Sequence, residues 1–197
     1  MPVKGDAPAP LGHQAFLFTT TPHTEDVNPK VIVPYANDEK DPMVHRAMRL
    51  NFQMQGIEPR MEKMYGTLDE EFAYDRLFRR LWAEAEPFVI VEHDILPWPG
   101  AIDGLLACRE EWCGHQYYVH GQLRSYLGCV KFDPVKIGPI PLPDEPVLWS
   151  DLDLTIIRAL SQRGHTGHLH GPAVVHLKYW HQRMTKAEII LPDWMAV

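Results

Sequence analysis

The stretch Phe88-Val89-Ile90-Val91-Glu92-His93-Asp94 decides the fold, because a short apolar run ends abruptly in two carboxylates. A run of this kind, rich in β-branched residues, predicts a strand that is buried on both faces of a sheet. If the strand continues, the side chains of Glu92 and Asp94 leave it on the same side. Oxygen ligands at the carboxyl end of a buried strand can bind a divalent cation, and such a cation can in turn bind a phosphate group. The alternative interpretation is a strand end with two solvated acids.

The segments before this run alternate between strand and helix patterns. Residues 31–35 are apolar and predict a first strand, and Asp41-Pro42 is a favourable helix start that Gly56 is placed to end. A second strand is predicted within residues 57–64 and a second helix over residues 68–86, which Pro87 ends. This alternation predicts parallel strands with right-handed crossovers, hence an α/β sandwich whose ligands bind beyond the carboxyl ends of the strands.

The pattern after Asp94 is less regular. Residues 95–99 predict a turn and residues 101–108 a short helix. Gln116–His120 and Tyr126–Phe132 predict two strands that a polar turn joins. A proline-rich loop over residues 138–146 is long enough to border a site. A last helix is predicted from Ser150 to the glycine at position 164.

The order of these elements resembles that of the nucleotide-sugar-dependent glycosyltransferases of the GT-A fold, over most of residues 30–180. In that family a strand of the form hydrophobic-x-x-Asp-x-Asp holds Mn²⁺ or Mg²⁺ against the sugar-nucleotide diphosphate. Here Glu92 stands where the first Asp is usual, and Asp94 matches the last. The resemblance implies a GT-A-like (Rossmann-like) three-layer α/β sandwich with a mostly parallel central sheet, and it makes Asp94 the principal metal ligand.

The same resemblance implies a set of nucleotide contacts. Pro34, Tyr35 and Asn37 come at or just past the end of the first strand, and the latter two are expected to meet the base and the ribose. Glu92 and His93, beside Asp94, are expected to contribute to the same cofactor site. The donor is expected to be a nucleoside-diphosphate sugar, with a UDP-hexose as the generic choice.

The family also places an acidic pair at a helix start on the acceptor side, which Asp151 and Asp153 match. One of them would act as general base on the acceptor hydroxyl, a role that a carboxylate fills well when burial raises its pKa. The structural alternative is strong, because Ser150-x-x-Asp153 fits a capping box and acids at a helix amino terminus favour the macrodipole. The sequence leaves these two interpretations open.

A late histidine often completes the metal shell in that family, and the segment from His165 to His176 holds four histidines. His168 and His170 share a face if the segment is extended. An imidazole nitrogen that completes the shell of Mn²⁺ is chemically reasonable, with His170 as first choice and His176 as second. Polar histidines with ordinary hydrogen bonds are the alternative.

Length and composition bound the class of protein. At 197 residues, with 45% hydrophobic and 23% charged residues, the chain is expected to form one globular domain over residues 30–197. Residues 1–29, rich in proline and threonine, are expected to be an N-terminal arm. The formal charge of −7 argues against a protein that coats nucleic acid. With no long apolar run and no secretory signal, the expected location is the cytoplasm, with no membrane contact.

The chain has three cysteines, and this odd number predicts free thiols. The spacing Cys108-x₄-Cys113-Gly-His115 could nevertheless be half of a zinc site. The sequence therefore predicts a metal-dependent, hexosyltransferase-like enzyme whose acceptor is a glycan, a protein or a modified nucleic acid. Two alternatives remain open. One is a mononuclear metal hydrolase or oxygenase that uses the histidines as a facial triad. The other is a non-catalytic module that binds nucleotide sugars.

Overall fold

The structure, a computed structural model, describes residues 29–35, 42–64, 70–119, 122–124 and 127–177. The predicted N-terminal arm lies outside these ranges except for Pro29. The strands and helices follow one another in this order: β1 Lys30–Tyr35, α1 Pro42–Met54, β2 Arg60–Lys63, α2 Ala73–Ala83, β3 Phe88–Val91, β4 Ile95–Pro97, α3 Ala101–Ala107, β5 Trp112–His115, β6 Tyr117–Val119, β7 Gln122–Arg124, β8 Cys129–Phe132, α4 Pro134–Ile137, α5 Trp149–Gln162, β9 His168–His170 and β10 Val174–His176.

The central sheet has six strands in the order β2-β1-β3-β8-β5-β9. Strand β1 pairs in parallel with β2 and with β3, and β5 pairs in parallel with β9. Strand β8 runs antiparallel to both of its neighbours, β3 and β5. Five strands therefore end at one edge of the sheet, and the predicted mostly parallel α/β sheet is confirmed.

Helices cover both faces of this sheet. The side chains of its central strands point alternately to the two sides, so each face presents apolar residues that a helix layer buries. Phe88 and Ile90 of β3 pack into a core with α2 and α5. Val89 and Val91 pack into a second core with α1 and α3. All four residues of β3 are buried, as expected for an apolar strand at the centre of a three-layer sandwich.

The helices begin and end close to the predicted residues. Helix α1 runs to Met54, and Gly56, with a φ of 67°, follows it. Helix α2 is shorter than predicted, because the three residues that precede it form a 3₁₀ turn, Glu70–Phe72. No helix among the described residues is long and apolar enough to cross a membrane.

The predicted pairing of two strands after residue 115 is wrong. Strand β6 pairs with β7, whereas β8 lies in the central sheet between β3 and β5. Strand β5 was not predicted, because Trp112-Cys-Gly-His115 shows neither alternation nor β-branched residues. Strand β5 is instead stabilised by burial of all four of its residues and by the close approach of Gly114 to β8. A Cβ on Gly114 would lie 3.3 Å from the carbonyl oxygen of Cys129.

The segment after Asp94 also differs from the prediction of a turn. Ile95–Pro97 forms the short strand β4, which pairs antiparallel with β10. In this pair His176 lies opposite Ile95. The late histidine segment therefore returns to the end of β3, a pairing that a proline-flanked run of three residues does not reveal.

Candidate active site

The end of β3 places the two acids of the opening run in a tight turn at the carboxyl edge of the sheet. The strand ends at Val91, so the condition under which Glu92 and Asp94 would leave one side of it is not met. The amide of Glu92 donates to the carbonyl oxygen of Gly128 at 2.8 Å, and the amide of Ile95 donates to that of Glu92 at 2.9 Å. The carbonyl oxygen of Asp94 accepts from the amide of Leu177 at 2.6 Å. Backbone hydrogen bonds thus fix both acids.

Three carboxyl groups meet at this edge, and Glu92, Asp94 and Asp153 are hereafter the acidic cluster. Burial raises the pKa of Glu92 well above its ordinary value, and the nearby charges of Asp153 and Asp94 raise it further. Burial also raises the pKa of Asp153 to about 6, while a backbone hydrogen bond from Leu127 opposes that rise. The structure therefore brings together, in a desolvated place, acids from β3 and from α5.

Asp153 is not the capping residue that the sequence suggested. Helix α5 has Leu148 at its N-cap position, with no side-chain hydrogen bond there, so the predicted Ser150-x-x-Asp153 capping box is wrong. The Oδ2 atom of Asp153 instead lies 3.4 Å from the amide nitrogen of Leu127, in the loop before β8. Asp151 is exposed in the first turn of the same helix. Of the two predicted catalytic acids, the structure places Asp153 in the acidic cluster.

Aromatic side chains line the acidic cluster. Tyr74 and Trp149 lie edge to face, with ring centroids 5.0 Å apart, and their side chains hydrogen-bond Glu92. Tyr117 is buried, and its pKa is raised by burial and by the charges of the acidic cluster. The sequence carried no signal for these neighbours, because α2 and α5 meet only in the folded chain.

His176 is the late histidine that lies against the acidic cluster. Its Nε2 atom is 3.8 Å from Oδ2 of Asp94, and both side chains are largely buried. Its ring also packs near that of Tyr117, with centroids 5.7 Å apart. The pairing of β10 with β4 fixes this position. A carboxylate oxygen and an imidazole nitrogen so placed are a suitable pair of ligands for Mn²⁺.

His170, the first choice from sequence, lies in a different group. It shares a face with His168, as expected for an extended segment, and the two ring centroids are 4.5 Å apart. Its ring is 5.1 Å from that of His115 on the neighbouring strand. Among the described residues, one set of three potential metal ligands has all its donor atoms within 4.8 Å of one another, and it consists of Cys108, Cys113 and His170.

The remaining predicted nucleotide contacts lie near the carboxyl edge or outside the described residues. Pro34 and Tyr35 end β1, opposite Glu62 and Lys63 of β2. Asn37 lies outside the described residues. His93 is partly buried in the turn after β3, and its Nδ1 atom is buried without a hydrogen-bond partner within the described part of the chain. A buried imidazole nitrogen of this kind can accept or donate a hydrogen bond to a ligand.

Comparisons with known proteins give likenesses of structure and none of sequence. No protein-family model matches the chain, and no curated protein matches it. The solved structure of A197 from STIV is similar with a TM-score of 0.48 and 9% identity, over 75% of this chain and 83% of that chain. A glycosyltransferase involved in the glycosylation of the major capsid of PBCV-1 is similar with a TM-score of 0.41 and 10% identity, over 76% of this chain and 93% of that one.

Proposed function

We propose that this chain is a metal-dependent glycosyltransferase that moves a sugar from a nucleoside-diphosphate sugar to an acceptor hydroxyl at the acidic cluster. The observation that carries the proposal is the meeting of Glu92, Asp94 and Asp153 in a partly buried place beyond the ends of parallel strands. Ligands of such sheets bind at that edge. The resemblance of the run ending in Asp94 to the GT-A metal motif agrees with this position.

The residues at the acidic cluster suit a divalent cation. Burial raises the pKa of Glu92 and of Asp153, and the charges of Asp153 and Asp94 raise that of Glu92 further. A divalent cation among these carboxylates would offset the cost of holding their negative charge there. Asp94 supplies oxygen and His176 supplies nitrogen for Mn²⁺ or Mg²⁺. When bound, the ion would neutralise the charge that develops on the leaving diphosphate.

Asp153 is our choice for the general base on the acceptor hydroxyl. Its pKa of about 6 leaves it ionised at neutral pH, yet basic enough to take a proton in the transition state. Its place on α5, across the acidic cluster from β3, separates it from the metal ligand Asp94. Burial and the charges of Asp153 and Asp94 raise the pKa of Glu92 well above its ordinary value, and Glu92 would border the donor sugar beside the metal.

The donor side is assigned to the ends of β1 and β3. Pro34 and Tyr35 would border the base and ribose of a UDP-sugar, and the partnerless Nδ1 of His93 would meet a polar group of the donor. Asn37 stays a prediction from the sequence. The residues of the acidic cluster do not distinguish among a glycan, a protein and a modified nucleic acid as the acceptor.

Calorimetric titration of UDP-glucose in the presence of Mn²⁺ tests this function. We expect the wild-type chain to bind the nucleotide sugar with Mn²⁺ and to lose most of that affinity when EDTA removes the ion. The Asp94→Asn variant should lose at least about tenfold in affinity, because a carboxylate ligand to the metal is replaced by a neutral amide. Asp103→Asn changes an exposed acid of α3 in the same way and is the matched control.

Two results would contradict the proposal. If Asp94→Asn and Asp103→Asn bind UDP-glucose as the wild type does, Asp94 is not a metal ligand for the donor. If Mn²⁺ binds at the acidic cluster but no nucleotide sugar binds with it, the alternative of a metal hydrolase or oxygenase is favoured.

A further inference from the structure

A second group of potential metal ligands lies where the end of α3 meets the edge of the central sheet. Cys108 directly follows α3, Cys113 lies within β5, and His170 ends the edge strand β9. The parallel pairing of β5 with β9 places His115 opposite His170 and Cys113 opposite His168. The donor atoms of Cys108, Cys113 and His170 all lie within 4.8 Å of one another. Three separate elements thus converge on one point.

We propose that Cys108, Cys113 and His170 bind a zinc ion, at a site distinct from the acidic cluster. Zinc is bound by cysteine sulfur at about 2.3 Å and by histidine nitrogen at about 2.0–2.1 Å. Ligands of one tetrahedral ion are then roughly 3.5–4 Å apart, so small side-chain movements close the observed spacing. Two thiolates and an imidazole are soft and borderline ligands that favour zinc over Mn²⁺ or Mg²⁺.

The state of the three side chains agrees with ligation. Nε2 of His170 is buried and has no hydrogen-bond partner among the residues that the structure describes. Both cysteines are free thiols, and Cys113 is fully buried. Zinc would displace the thiol protons, since a coordinating thiol is deprotonated.

His115, which the sequence suggested as the third ligand of a half-site, is already engaged. Its Nδ1 lies 3.1 Å from the carbonyl oxygen of Gly171, and its Nε2 lies 3.0 Å from that of Ala101. These contacts hold the end of β9 against the start of α3. His115 therefore positions His170 and does not itself offer a free nitrogen. The fourth zinc position would be taken by water or by the adjacent ring of His168.

The test measures zinc binding by the full-length chain under reducing conditions, in equilibrium dialysis with the bound metal counted by mass spectrometry. We expect one zinc per chain, and a loss of at least about tenfold in affinity for His170→Gln and for Cys108→Ser. Cys129→Ala removes a buried cysteine that is not in the group and should keep the wild-type affinity. Circular dichroism and thermal melts verify that each variant is folded.

Two further readouts use the wild-type chain and so do not depend on the folding of variants. Cobalt in place of zinc should give an intense thiolate-to-cobalt charge-transfer band. Added zinc should protect the partly buried thiol of Cys108 from alkylation, whereas the fully buried Cys113 and Cys129 stay unmodified in the folded chain with or without zinc. Absence of zinc binding by the reduced wild type, unchanged affinity in His170→Gln, or a Cys108–Cys113 disulfide that persists under reducing conditions would overturn the proposal.

Discussion

Replacing Asp153 by asparagine should raise the stability of the chain at alkaline pH while it removes catalysis. The substitution keeps the shape of the side chain and an oxygen that can accept from the amide of Leu127. It removes the charge that burial disfavours. The pKa of Asp153 rises on folding from the ordinary 3.8 to about 6. At 1.36 kcal/mol per pKa unit, ionised Asp153 costs the folded state about 3 kcal/mol.

The sign of the pH dependence follows from the direction of that pKa. The folded chain holds the proton of Asp153 more tightly than the unfolded chain does. Protonated Asp153 therefore adds to the free energy of unfolding fully below about pH 4, and this contribution is lost as the pH rises through about 6. Asp153→Asn should therefore melt several degrees above the wild type at pH 8, at about 2–4 °C per kcal/mol for a chain of this size. The two proteins should melt at similar temperatures at pH 4.

Turnover should change in the opposite direction. Loss of a general base costs roughly 10²–10⁴ in rate, which release of UDP from UDP-glucose can measure. In the wild type, turnover should rise with pH through about 6 as Asp153 ionises. The exposed Asp151→Asn is the matched control: it should leave the rate unchanged and should lower stability by at most about 1 kcal/mol, since it removes a charge from the first turn of α5. A variant Asp153→Asn that melts below the wild type at pH 8, as loss of a helix cap would cause, would refute the reasoning.

Two further substitutions test the fold and the metal assignment. Gly167→Ala should destabilise the chain by more than Gly164→Ala does. Both glycines have a positive φ, a conformation that costs an L-residue about 1–2 kcal/mol. Only at Gly167 would an added Cβ also overlap the ring of Trp112. Equal losses in the two thermal melts would contradict this packing. His176→Gln should weaken Mn²⁺ binding at the acidic cluster by at least about tenfold, whereas His165→Gln, after α5, should not. Electron paramagnetic resonance of bound Mn²⁺ reports the loss of the nitrogen ligand, and identical spectra would remove His176 from the metal shell.

Local patterns in the sequence were sufficient to predict the three parallel strands β1, β2 and β3 and the helices between them. The apolar run of β3 and the helix start at Asp41-Pro42 depend on neighbours in sequence, and the structure has β3 and α1 there. Strand β5 could not be predicted, since Gly114 contributes to packing by the side chain it lacks. The strand pairs β4–β10 and β6–β7 are short and polar or proline-flanked, and tertiary contacts alone decide them.

The candidate site shows the same division. The position of Asp94 at the end of a buried strand follows from local sequence. Whether Asp153 caps its helix or enters the acidic cluster depends on the loop before β8, which approaches it only after folding. The choice between His170 and His176 likewise depends on which strand each one pairs with. Spacing along the chain contains no information about such pairings.

The most direct test of the proposed function is the position of manganese in crystals of the chain grown with UDP and Mn²⁺. An anomalous difference map at the manganese absorption edge locates the ion without reference to the protein's own scattering. The proposal predicts a peak between the carboxylate of Asp94 and the diphosphate of UDP, with His176 on its border. A nucleotide bound at the ends of β1 and β3 with no anomalous peak, or a peak far from Asp94, would contradict it.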